Sequence, residues 1–311
     1  MKLSLIVPCY NEAENVKPFQ EAVIQAFQDS GYSYEIVFID DGSRDATLHN
    51  LKKIYKAQLC PTKIVSFSRN FGKESAIYAG LKYAKGEYVC IIDADLQQRP
   101  EIVRQMVSIL DEKAEYDVVA AYQDGRKENK LISLLKKGFY RIINRLASVN
   151  LKHDASDFRT MRRSVVESIL KLGEYHRFSK GIFAWVGFET CFIPYQVCKR
   201  NAGKSKWGFR KLMNYAIDGM IGYTTKPLKM ATFLGIMTAF AALAYLIVVV
   251  LQKLIAGIAI PGYATIIVLI LFLGGMQLLC IGVIGEYVGR TFEQSKDRPI
   301  FIAKEILDYD E

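Results

Sequence analysis

Two aspartates, Asp93 and Asp95, follow directly on the mostly apolar run Tyr88–Ile92. A continuous run of this length and type is typical of a strand that is buried on both faces of a sheet. Ligands of open α/β sheets bind beyond the carboxyl ends of the strands, which is where these two carboxylates would stand. Magnesium usually takes one or two protein carboxylates together with substrate phosphates, so the pair predicts a site for Mg²⁺ or Mn²⁺. The alternative is a solvated turn, because aspartate is common where strands end.

The N-terminal half repeats this arrangement of a strand followed by polar residues. Strands are predicted at 3–7, 35–39, 63–67, 88–92 and 117–121, with apolar residues at helical spacing between most of them. The alternation predicts an α/β fold with a mainly parallel sheet. The first four strands would end at one edge of that sheet, so four polar segments would meet there, which turn chemistry alone explains poorly. These segments are Pro8–Glu12, Asp40–Ser43, Ser68–Lys73 and Asp93–Asp95.

The chain has no glycine-rich dinucleotide fingerprint and no P-loop. A nucleotide that is held by carboxylates and a metal ion needs neither of them. The six cysteines show no Cys-x-x-Cys spacing, which favours free thiols in a reducing compartment over zinc or disulfides. The three histidines, at 49, 153 and 176, have no partner at ligand spacing, so we interpret them as surface or packing residues.

Hydropathy divides the chain into two parts. Apolar residues make up 51% of the 311 residues, and Lys253 is the only charged residue from Met230 to Gly285. A formal net charge of +9 suits nucleic acid, a membrane surface or anionic substrates. Because the basic residues are scattered and a long apolar segment follows, we expect a membrane and no nucleic acid. The N-terminal apolar run is too short for a signal peptide.

The apolar part is long enough for two helical spans, at about 230–252 and 263–285. Core helices of a soluble protein are the alternative, and the uncharged length argues against them. Basic residues flank both outer ends, so the positive-inside rule predicts that both ends lie in the cytoplasm. Residues 207–229 mix apolar and charged side chains, which predicts a helical segment at the membrane interface. The expected division is a cytoplasmic catalytic domain (1–206), an interfacial segment (207–229), a transmembrane pair (230–285) and a cytoplasmic juxtamembrane segment (286–311).

Several segments, in this order, resemble glycosyltransferase family 2, and in particular its polyprenyl-phosphate branch. That branch includes dolichyl-phosphate mannose synthase and the bacterial undecaprenyl-phosphate glucosyltransferases. Three segments resemble the nucleotide-sugar motifs of the family: Val7–Glu12, Asp40–Ser43 and Asp93–Asp95. The closer similarity to the branch is carried by Arg69–Lys73, Asp93–Gln97, Ser156–Arg159, Gly203–Lys206, Gly285–Arg290 and Arg298-Pro299.

The resemblance implies a GT-A fold, which has a Rossmann-like, mainly parallel sheet, followed by interfacial helices and a two-helix transmembrane hairpin. It implies inverting transfer of a hexose, which we expect to be glucose from UDP-glucose, to undecaprenyl phosphate. The lipid-linked sugar would serve the modification of envelope polysaccharide such as lipopolysaccharide. Mannose, N-acetylglucosamine or an aminoarabinose derivative are alternative donor sugars. The implied location is the bacterial plasma membrane, with several spans and the catalytic domain in the cytoplasm.

The resemblance also assigns roles to residues. Asp40 would meet the uracil, Asp93 the ribose or the metal, and Asp95 the metal that bridges the diphosphate. The metal ligands are therefore Asp93 and Asp95, and Asp95 counts with Asp157 as catalytic. The expected contacts of the nucleotide sugar are Pro8, Tyr10, Asn11, Glu12, Asp40, Asp41, Asn70, Lys73, Asp93, Ala94 and Gln97.

The acceptor determines how strong a base the enzyme needs. A phosphate monoester, with a second pKa of about 6, is already largely an anion at neutral pH. It needs cations to hold it more than a residue that removes a proton. Asp157 is thus a candidate positioning group or weak base, with a structural ion pair to Arg159 or Arg162 as the alternative. The candidate holders of the lipid phosphate, each of which is otherwise a solvated charge, are Arg126, Arg159, Arg200 and Lys206.

Two hypotheses from other functional classes remain open. One is a membrane scaffold that kept the fold and lost catalysis, although the intact pair Asp93 and Asp95 argues against it. The other is a lipid-binding or flippase-like module, which the near absence of charge within the spans disfavours. Small residues in the second span permit close helix packing and hence a homo-oligomer, at Gly274, Gly275, Gly282 and Gly285.

Overall fold

The computed structural model describes residues 1–123, 155–198, 221–256 and 262–309. The chain divides into two compact units. The first comprises Met1–Gly219 together with Arg298–Glu311, and the second comprises Met220–Asp297. The first unit is an α/β domain, and the second contains two long apolar helices.

The described part of the α/β domain forms one eight-stranded sheet in the order β7-β5-β6-β4-β1-β2-β3-β8. Neighbouring strands from β4 to β3 are parallel, as are β5 and β7, whereas β6 and β8 run antiparallel to their neighbours. The predicted mainly parallel α/β sheet and its first five strands are confirmed. The strands are β1 (Leu3–Cys9), β2 (Tyr34–Asp40), β3 (Thr62–Phe67), β4 (Tyr88–Ile91), β5 (Val118–Gln123), β6 (Ala155–Arg162), β7 (Thr190–Tyr195) and β8 (Ala303–Leu307).

Helices cover both faces of the sheet, which explains why its central strands are apolar throughout. One layer contains α1 (Val16–Phe27), α2 (Thr47–Ala57) and α4 (Pro100–Glu112), and α1 packs against the other two. The opposite layer contains α3 (Lys73–Tyr83) and α5 (Arg163–Leu170). A short helix, α6 (Ser179–Trp185), packs against β6. Parallel strands with helices between them bring the loops that follow β1 to β4 to one edge of the sheet.

The last strand of the sheet comes from the C-terminal end of the chain, within the predicted juxtamembrane segment 286–311. β8 pairs antiparallel with β3, with Val65 opposite Ile306. The carboxylate of Asp308 then lies 2.9 Å from the Lys63 ammonium and 3.3 Å from that of Lys85. Residues before and after the two long helices, in β7 and β8, therefore belong to the same sheet.

The second unit contains α7 (Lys226–Ala256) and α8 (Tyr263–Ser295). Both helices are long and apolar enough to cross a membrane, with mean hydropathies of 2.6 and 2.7 over their spans. The Tyr287 hydroxyl donates a hydrogen bond to the Thr224 carbonyl oxygen at 2.7 Å, which links the beginning of α7 to α8. Most of the predicted interfacial segment lies outside the described residues, and its last four residues are the first turn of α7.

Candidate active site

The loops that follow β1 and β2 are tied together by hydrogen bonds. The backbone N–H of Asn11 donates to the Ser43 hydroxyl at 2.9 Å, and Oδ1 of Asn11 accepts from the N–H of Arg44 at 2.9 Å. The N–H of Glu12 donates to the Thr47 hydroxyl at 2.8 Å. Asn11 has a left-handed backbone (φ 51°), a conformation that asparagine tolerates better than most residues. These bonds fix the two loops as one platform at the edge of the sheet.

Asp40 and Asp41 tie β2 to the loop after β3. The Asp40 carboxylate is 1% exposed and accepts hydrogen bonds from the Ser43 N–H at 3.1 Å and the Ser66 hydroxyl at 2.9 Å. The Asp41 carboxylate accepts from the N–H groups of Phe71 at 2.6 Å and Gly72 at 2.9 Å. Burial raises the pKa of Asp41 to about 6, against the lowering effect of those two donors. The implied contact between Asp40 and uracil stays a prediction, in which the base would compete with Ser43 and Ser66.

Gly42, which directly follows the two aspartates, is required by this packing. Its φ of 63° is left-handed, and a Cβ at this position would meet backbone atoms of Arg69 and Asn70. The Asn70 side chain donates a hydrogen bond to Oδ2 of Asp41 at 2.8 Å. The predicted nucleotide-sugar residue Asn70 is thus brought to the same edge as Asp41.

Asp93 stands at the end of β4 and is held from two sides. Its Oδ1 lies 2.7 Å from the Lys73 ammonium, and its Oδ2 accepts from Nε2 of Gln98 at 3.4 Å. The Asp93 N–H donates to Oε1 of Gln98 at 3.0 Å. Gln98 is 6% exposed and was not among the predicted site residues. The amide of Gln98 positions Asp93 by bonding both the backbone N–H and the carboxylate of Asp93.

Asp95 is 8% exposed, and its Oδ1 accepts a hydrogen bond from the Gln97 N–H at 3.1 Å. Leu96 between them has a φ of 59°, a strained conformation for a leucine. Backbone strain of this kind is common where a loop has to present functional groups. The turn after β4 therefore holds two carboxylates, one more exposed than the other.

Lys73 also reaches Asp157, which lies on β6 beside β4. Its ammonium is 3.5 Å from Oδ2 of Asp157, so that one cation lies between two carboxylates from different strands. Burial would lower the pKa of Lys73, but Asp93 and Asp157 outweigh burial and raise it. Lys73 is therefore a fixed positive charge in this site.

One carboxylate oxygen of Asp157, Oδ2, forms the ion pair with Lys73, and the other, Oδ1, has no partner among the described residues. Oδ1 is buried and accepts no hydrogen bond within the described ranges. Burial on its own would raise the pKa of Asp157, but the charges of Lys73, Lys180 and Arg159 hold it below its usual value. The group is thus a carboxylate at neutral pH, as a base or positioning residue would have to be. Among the described residues, the cation within ion-pair distance of Asp157 is Lys73; Arg162 instead donates to the Leu110 carbonyl oxygen at 2.6 Å.

Arg159 is 6% exposed and lies under α6. Its guanidinium carbon is 3.7 Å from the centre of the Phe183 ring, and Nη2 donates to the Ser156 carbonyl oxygen at 3.0 Å. The structure thus places Arg159 as a packed residue near Asp157, and its contact with a lipid phosphate stays a prediction. The other three candidate phosphate holders, Arg126, Arg200 and Lys206, lie outside the described residues.

Glu74 and Ser179 join α3 to α6 and were not predicted from the sequence. Oε2 of Glu74 accepts hydrogen bonds from the Ser179 N–H at 2.8 Å and from the Ser179 hydroxyl. Burial and the negative charge of Asp157 raise the pKa of Glu74 to about 7. Glu74 directly follows Lys73 of the Arg69–Lys73 motif, which is its one sequence signal, whereas Ser179 lies in none of the motifs described above.

Comparison with known proteins decides the family. Residues 4–170 match the model of glycosyl transferase family 2, and residues 226–291 match the model named GtrB C-terminal hairpin. The chain belongs to glycosyltransferase family 2. The CsbB protein of Bacillus subtilis (strain 168) is 42% identical over 303 residues, which are 97% of this chain and 91% of that protein.

Two further relatives of the glycosyltransferase match over nearly their full length. The bactoprenol glucosyl transferase of Shigella phage SfV is 39% identical over 306 residues, 98% of each chain. The prophage bactoprenol glucosyl transferase homolog of Escherichia coli (strain K12) is 38% identical over 308 residues, 98% of this chain and 99% of that one. The domain therefore has the GT-A-like mixed sheet that the resemblance implied, followed by two long apolar helices.

The remaining predicted contacts of the glycosyltransferase also lie at this edge. Gln97 accepts a hydrogen bond from the Cys198 N–H at 3.2 Å, which joins the segment after β7 to the turn after β4. Nε of Arg99 donates to Sγ of Cys198 at 2.8 Å. Ala94 is buried within the turn. Pro8 and Tyr10 are half-buried where β1 reaches the edge.

The carboxylates of Asp93 and Asp95 in the glycosyltransferase fit a divalent cation that would also be bound by a substrate. No group of three or more histidine, cysteine, aspartate or glutamate side chains at metal-binding distance occurs in the part of the chain that the structure describes. Asp93 and Asp95 offer two carboxylates one residue apart, which suits Mg²⁺ or Mn²⁺ with phosphate oxygens and water completing the shell. Because the Lys73 ammonium contacts Asp93, a metal ion bound there would either share the Asp93 carboxylate with Lys73 or displace Lys73 from it.

Proposed function

We propose that this glycosyltransferase transfers glucose from UDP-glucose to undecaprenyl phosphate on the cytoplasmic face of the bacterial plasma membrane. The observation that carries the proposal is the combination, in one chain, of the acidic site after β4 with two helices long enough to cross a membrane. The names of full-length relatives, bactoprenol glucosyl transferase, support the choice of sugar and lipid. The product would be a lipid-linked glucose for the modification of envelope polysaccharide such as lipopolysaccharide.

Asp93 and Asp95 would hold Mg²⁺ or Mn²⁺ against the diphosphate of the donor. When bound, such an ion stabilises the negative charge on the leaving diphosphate. The hydrogen-bonded loops after β1, β2 and β3 would orient the nucleotide without rearranging, since they are fixed to one another before it binds.

The transfer is a single displacement. An oxygen of the lipid phosphate forms a bond to the anomeric carbon while the bond from that carbon to the β-phosphate oxygen breaks. UDP leaves with the electron pair, and the configuration at the anomeric carbon inverts. Because a phosphate monoester is largely a dianion above its second pKa of about 6, no proton has to be removed for this step.

Asp157 therefore acts as a positioning group in this proposal. It is ionised, and its Oδ2 lies 3.5 Å from Lys73, which also contacts Asp93. The Lys73 ammonium is thus held between Asp93, after β4, and Asp157, on β6, where it would face the donor diphosphate and the acceptor phosphate. The buried Oδ1 accepts no hydrogen bond from the described residues, so it would accept one from a hydroxyl of the sugar, or from a singly protonated acceptor, once the groups that cover it move aside.

The connectivity supports the membrane arrangement. The two helices run between β7 and β8 of one sheet, so both outer ends of the pair would lie on one side of the membrane. The basic residues near those ends favour the cytoplasmic side, which is also where nucleotide sugars are made. We propose residues 1–206 as the catalytic domain, to which β8 contributes from the juxtamembrane segment 286–311.

The test is a transfer assay with purified full-length protein in detergent, undecaprenyl phosphate and Mg²⁺ or Mn²⁺. Radiolabelled UDP- and GDP-sugars are supplied one at a time, and label that enters the organic phase is counted. We expect label from UDP-glucose alone, no label with EDTA or with Asp95→Asn, and wild-type transfer with Asp29→Asn, an exposed aspartate after α1.

The other results discriminate between the alternatives. Label from a mannose, N-acetylglucosamine or aminoarabinose donor instead would keep the reaction and replace the sugar. No label from any donor, with lipid and metal present, would overturn the proposal and favour a membrane scaffold that binds without transfer.

A further inference from the structure

Lys180 is a half-buried cation on α6, at the side of the active site where β6 carries Asp157. Within the described ranges, its ammonium forms no ion pair within 4.0 Å and donates no hydrogen bond. We infer that the ammonium of Lys180 binds the phosphate group of the acceptor lipid. This inference rests on the proposed function and adds Lys180 to the four candidate phosphate holders.

The position of Lys180 is fixed by contacts on both sides of it in α6. The preceding residue, Ser179, is anchored to Oε2 of Glu74 by its N–H at 2.8 Å. The ring of Phe183, three residues further on, contacts the guanidinium of Arg159 at 3.7 Å. Residues three apart in a helix share a face, so Lys180 lies on the face of α6 that is turned toward β6.

An electrostatic effect on Asp157 supports this placement. The charge of Lys180 is among those that lower the pKa of Asp157, together with the charges of Lys73 and Arg159. A charge lowers the pKa of a carboxyl group in this way only when the two groups are near each other and incompletely screened by water. Lys180 is therefore close to Asp157 and still not bound to it.

The two other described cations near Asp157 are already engaged. Lys73 lies between the carboxylates of Asp93 and Asp157 at 2.7 and 3.5 Å. Arg159 is buried, stacks on Phe183 and donates to the Ser156 carbonyl oxygen. Among these three described residues, Lys180 is the cation that can meet an incoming anion without first breaking a contact.

The chemistry of the acceptor suits this cation. A phosphate monoester carries a charge of nearly −2 at neutral pH, and it would have to approach the ionised Asp157 and the donor diphosphate, both of which repel it. A lysine ammonium is a compact, flexible point charge that commonly binds phosphate. The diphosphate of the donor has the same chemistry, so the test separates the two phosphates.

The test compares Lys180→Gln and Lys180→Arg with the control Lys171→Gln, an exposed lysine after α5. Michaelis constants are measured separately for undecaprenyl phosphate and for UDP-glucose. We expect Lys180→Gln to raise the acceptor KM about tenfold or more, which is the loss of one charged hydrogen bond, and to leave the donor KM unchanged. Lys180→Arg keeps the charge and should retain most of the acceptor affinity, and Lys171→Gln should behave as wild type.

A second readout measures binding without turnover. Quenching of tryptophan fluorescence is followed in detergent with undecaprenyl phosphate and with undecaprenol, which lacks the phosphate. The wild type should prefer the phosphate form, and Lys180→Gln should lose that preference while binding undecaprenol as before. Melting temperatures of both variants show whether the fold is kept; if Lys180→Gln unfolds, Lys180→Met replaces it in both measurements.

An unchanged acceptor KM and an unchanged preference for the phosphate lipid in Lys180→Gln would overturn the inference. A raised donor KM with a normal acceptor KM would also overturn it, because the lysine would then bind the nucleotide sugar. Failure of the proposed function is visible separately, since the wild type itself would then transfer no sugar to the lipid from any donor.

Discussion

The Lys73 ammonium lies 2.7 Å from Oδ1 of Asp93 and so joins the first turn of α3 to the end of β4. The same ammonium lies 3.5 Å from Asp157 on the neighbouring strand β6. Two carboxylates that would otherwise repel each other are thus held on either side of one cation. The Lys73 ammonium and the hydrogen bonds of Gln98 together hold the Asp93 carboxylate, and a donor diphosphate that enters the site would meet Lys73 between Asp93 and Asp157.

Lys73→Met removes the cation that separates Asp93 from Asp157. The two carboxylates then repel each other and lose their common position, and misplaced groups of this kind reduce rates by about 100-fold. We expect a loss of transfer of that order, measured as initial rate at saturating UDP-glucose. The matched control is Lys17→Met, an exposed lysine on α1 that should leave the rate unchanged. A rate within twofold of wild type for Lys73→Met would contradict the role given to this ion pair.

Gln98→Glu replaces the amide that donates to Oδ2 of Asp93 with a carboxylate. The new like charge beside Asp93 should distort the aspartate pair, which we expect to lower the rate about tenfold and to change the apparent affinity for Mn²⁺. Manganese binding is followed by electron paramagnetic resonance in the presence of UDP. Gln28→Glu, at an exposed position after α1, is the control. Equal Mn²⁺ affinity and rate in the two variants would show that Gln98 does not position Asp93.

Glu74 makes the stability of the α/β domain dependent on pH. Its pKa is raised from 4.5 to about 7, so the folded state binds this proton more tightly than the unfolded state. The protonated Glu74 therefore contributes fully to the free energy of unfolding below pH 4.5, its pKa in the unfolded chain, and this contribution is lost as the pH rises through about 7, its pKa in the folded chain. Glu74→Gln keeps an acceptor for Ser179 without the charge, and it should be more stable than wild type by about 1–3 kcal/mol at high pH.

Melting temperatures of Glu74→Gln and wild type at pH 5 and pH 8.5 check this expectation. The advantage of the variant should be large at pH 8.5 and small at pH 5. Glu167→Gln, on α5 and away from the site, should show no such dependence. A difference that is the same at both pH values would mean that Glu74 is not the group responsible.

Asp308 anchors the C-terminal strand through Lys63, whose side chain is 2% exposed. Asp308→Ala leaves that ammonium buried without its carboxylate, which should destabilise the domain by about 3 kcal/mol. Lys63→Met in the same chain removes the unpaired charge and should restore part of the melting temperature. Both are measured by thermal unfolding, with Asp29→Ala as control. If the double variant melted below Asp308→Ala, the ion pair would not be the cause of the loss.

The five N-terminal strands could be predicted because each is a short apolar run between polar segments. β8 could not: its five residues, Ala303–Leu307, alternate in exposure, and its pairing with the edge strand β3 depends on tertiary structure. A segment that follows a long apolar helix also gives no local sign that it returns to a sheet formed about 240 residues earlier.

Site residues that belong to sequence motifs could be predicted, whereas residues that reach the site only through tertiary packing could not. Asp93, Asp95 and Lys73 follow from their motifs; the structure brings Lys73 to Asp93 and places Asp95 in the same turn, where it accepts from the Gln97 N–H. Gln98 and Ser179 have common residue types and become significant only because the folded chain places them against Asp93 and Glu74. The burial of Arg159 depends on the position of Phe183 in α6, 24 residues further along the chain.

The central claim is that this site joins glucose to a polyprenyl phosphate, and the structure of the product tests it most directly. Wild-type protein is incubated with ¹³C-labelled UDP-glucose and undecaprenyl phosphate, and the lipid product is examined by mass spectrometry and NMR. We predict one hexose on the lipid phosphate, with β configuration at the anomeric carbon, and none with Asp95→Asn. Free glucose with unmodified lipid, or an α-linked product, would contradict the account.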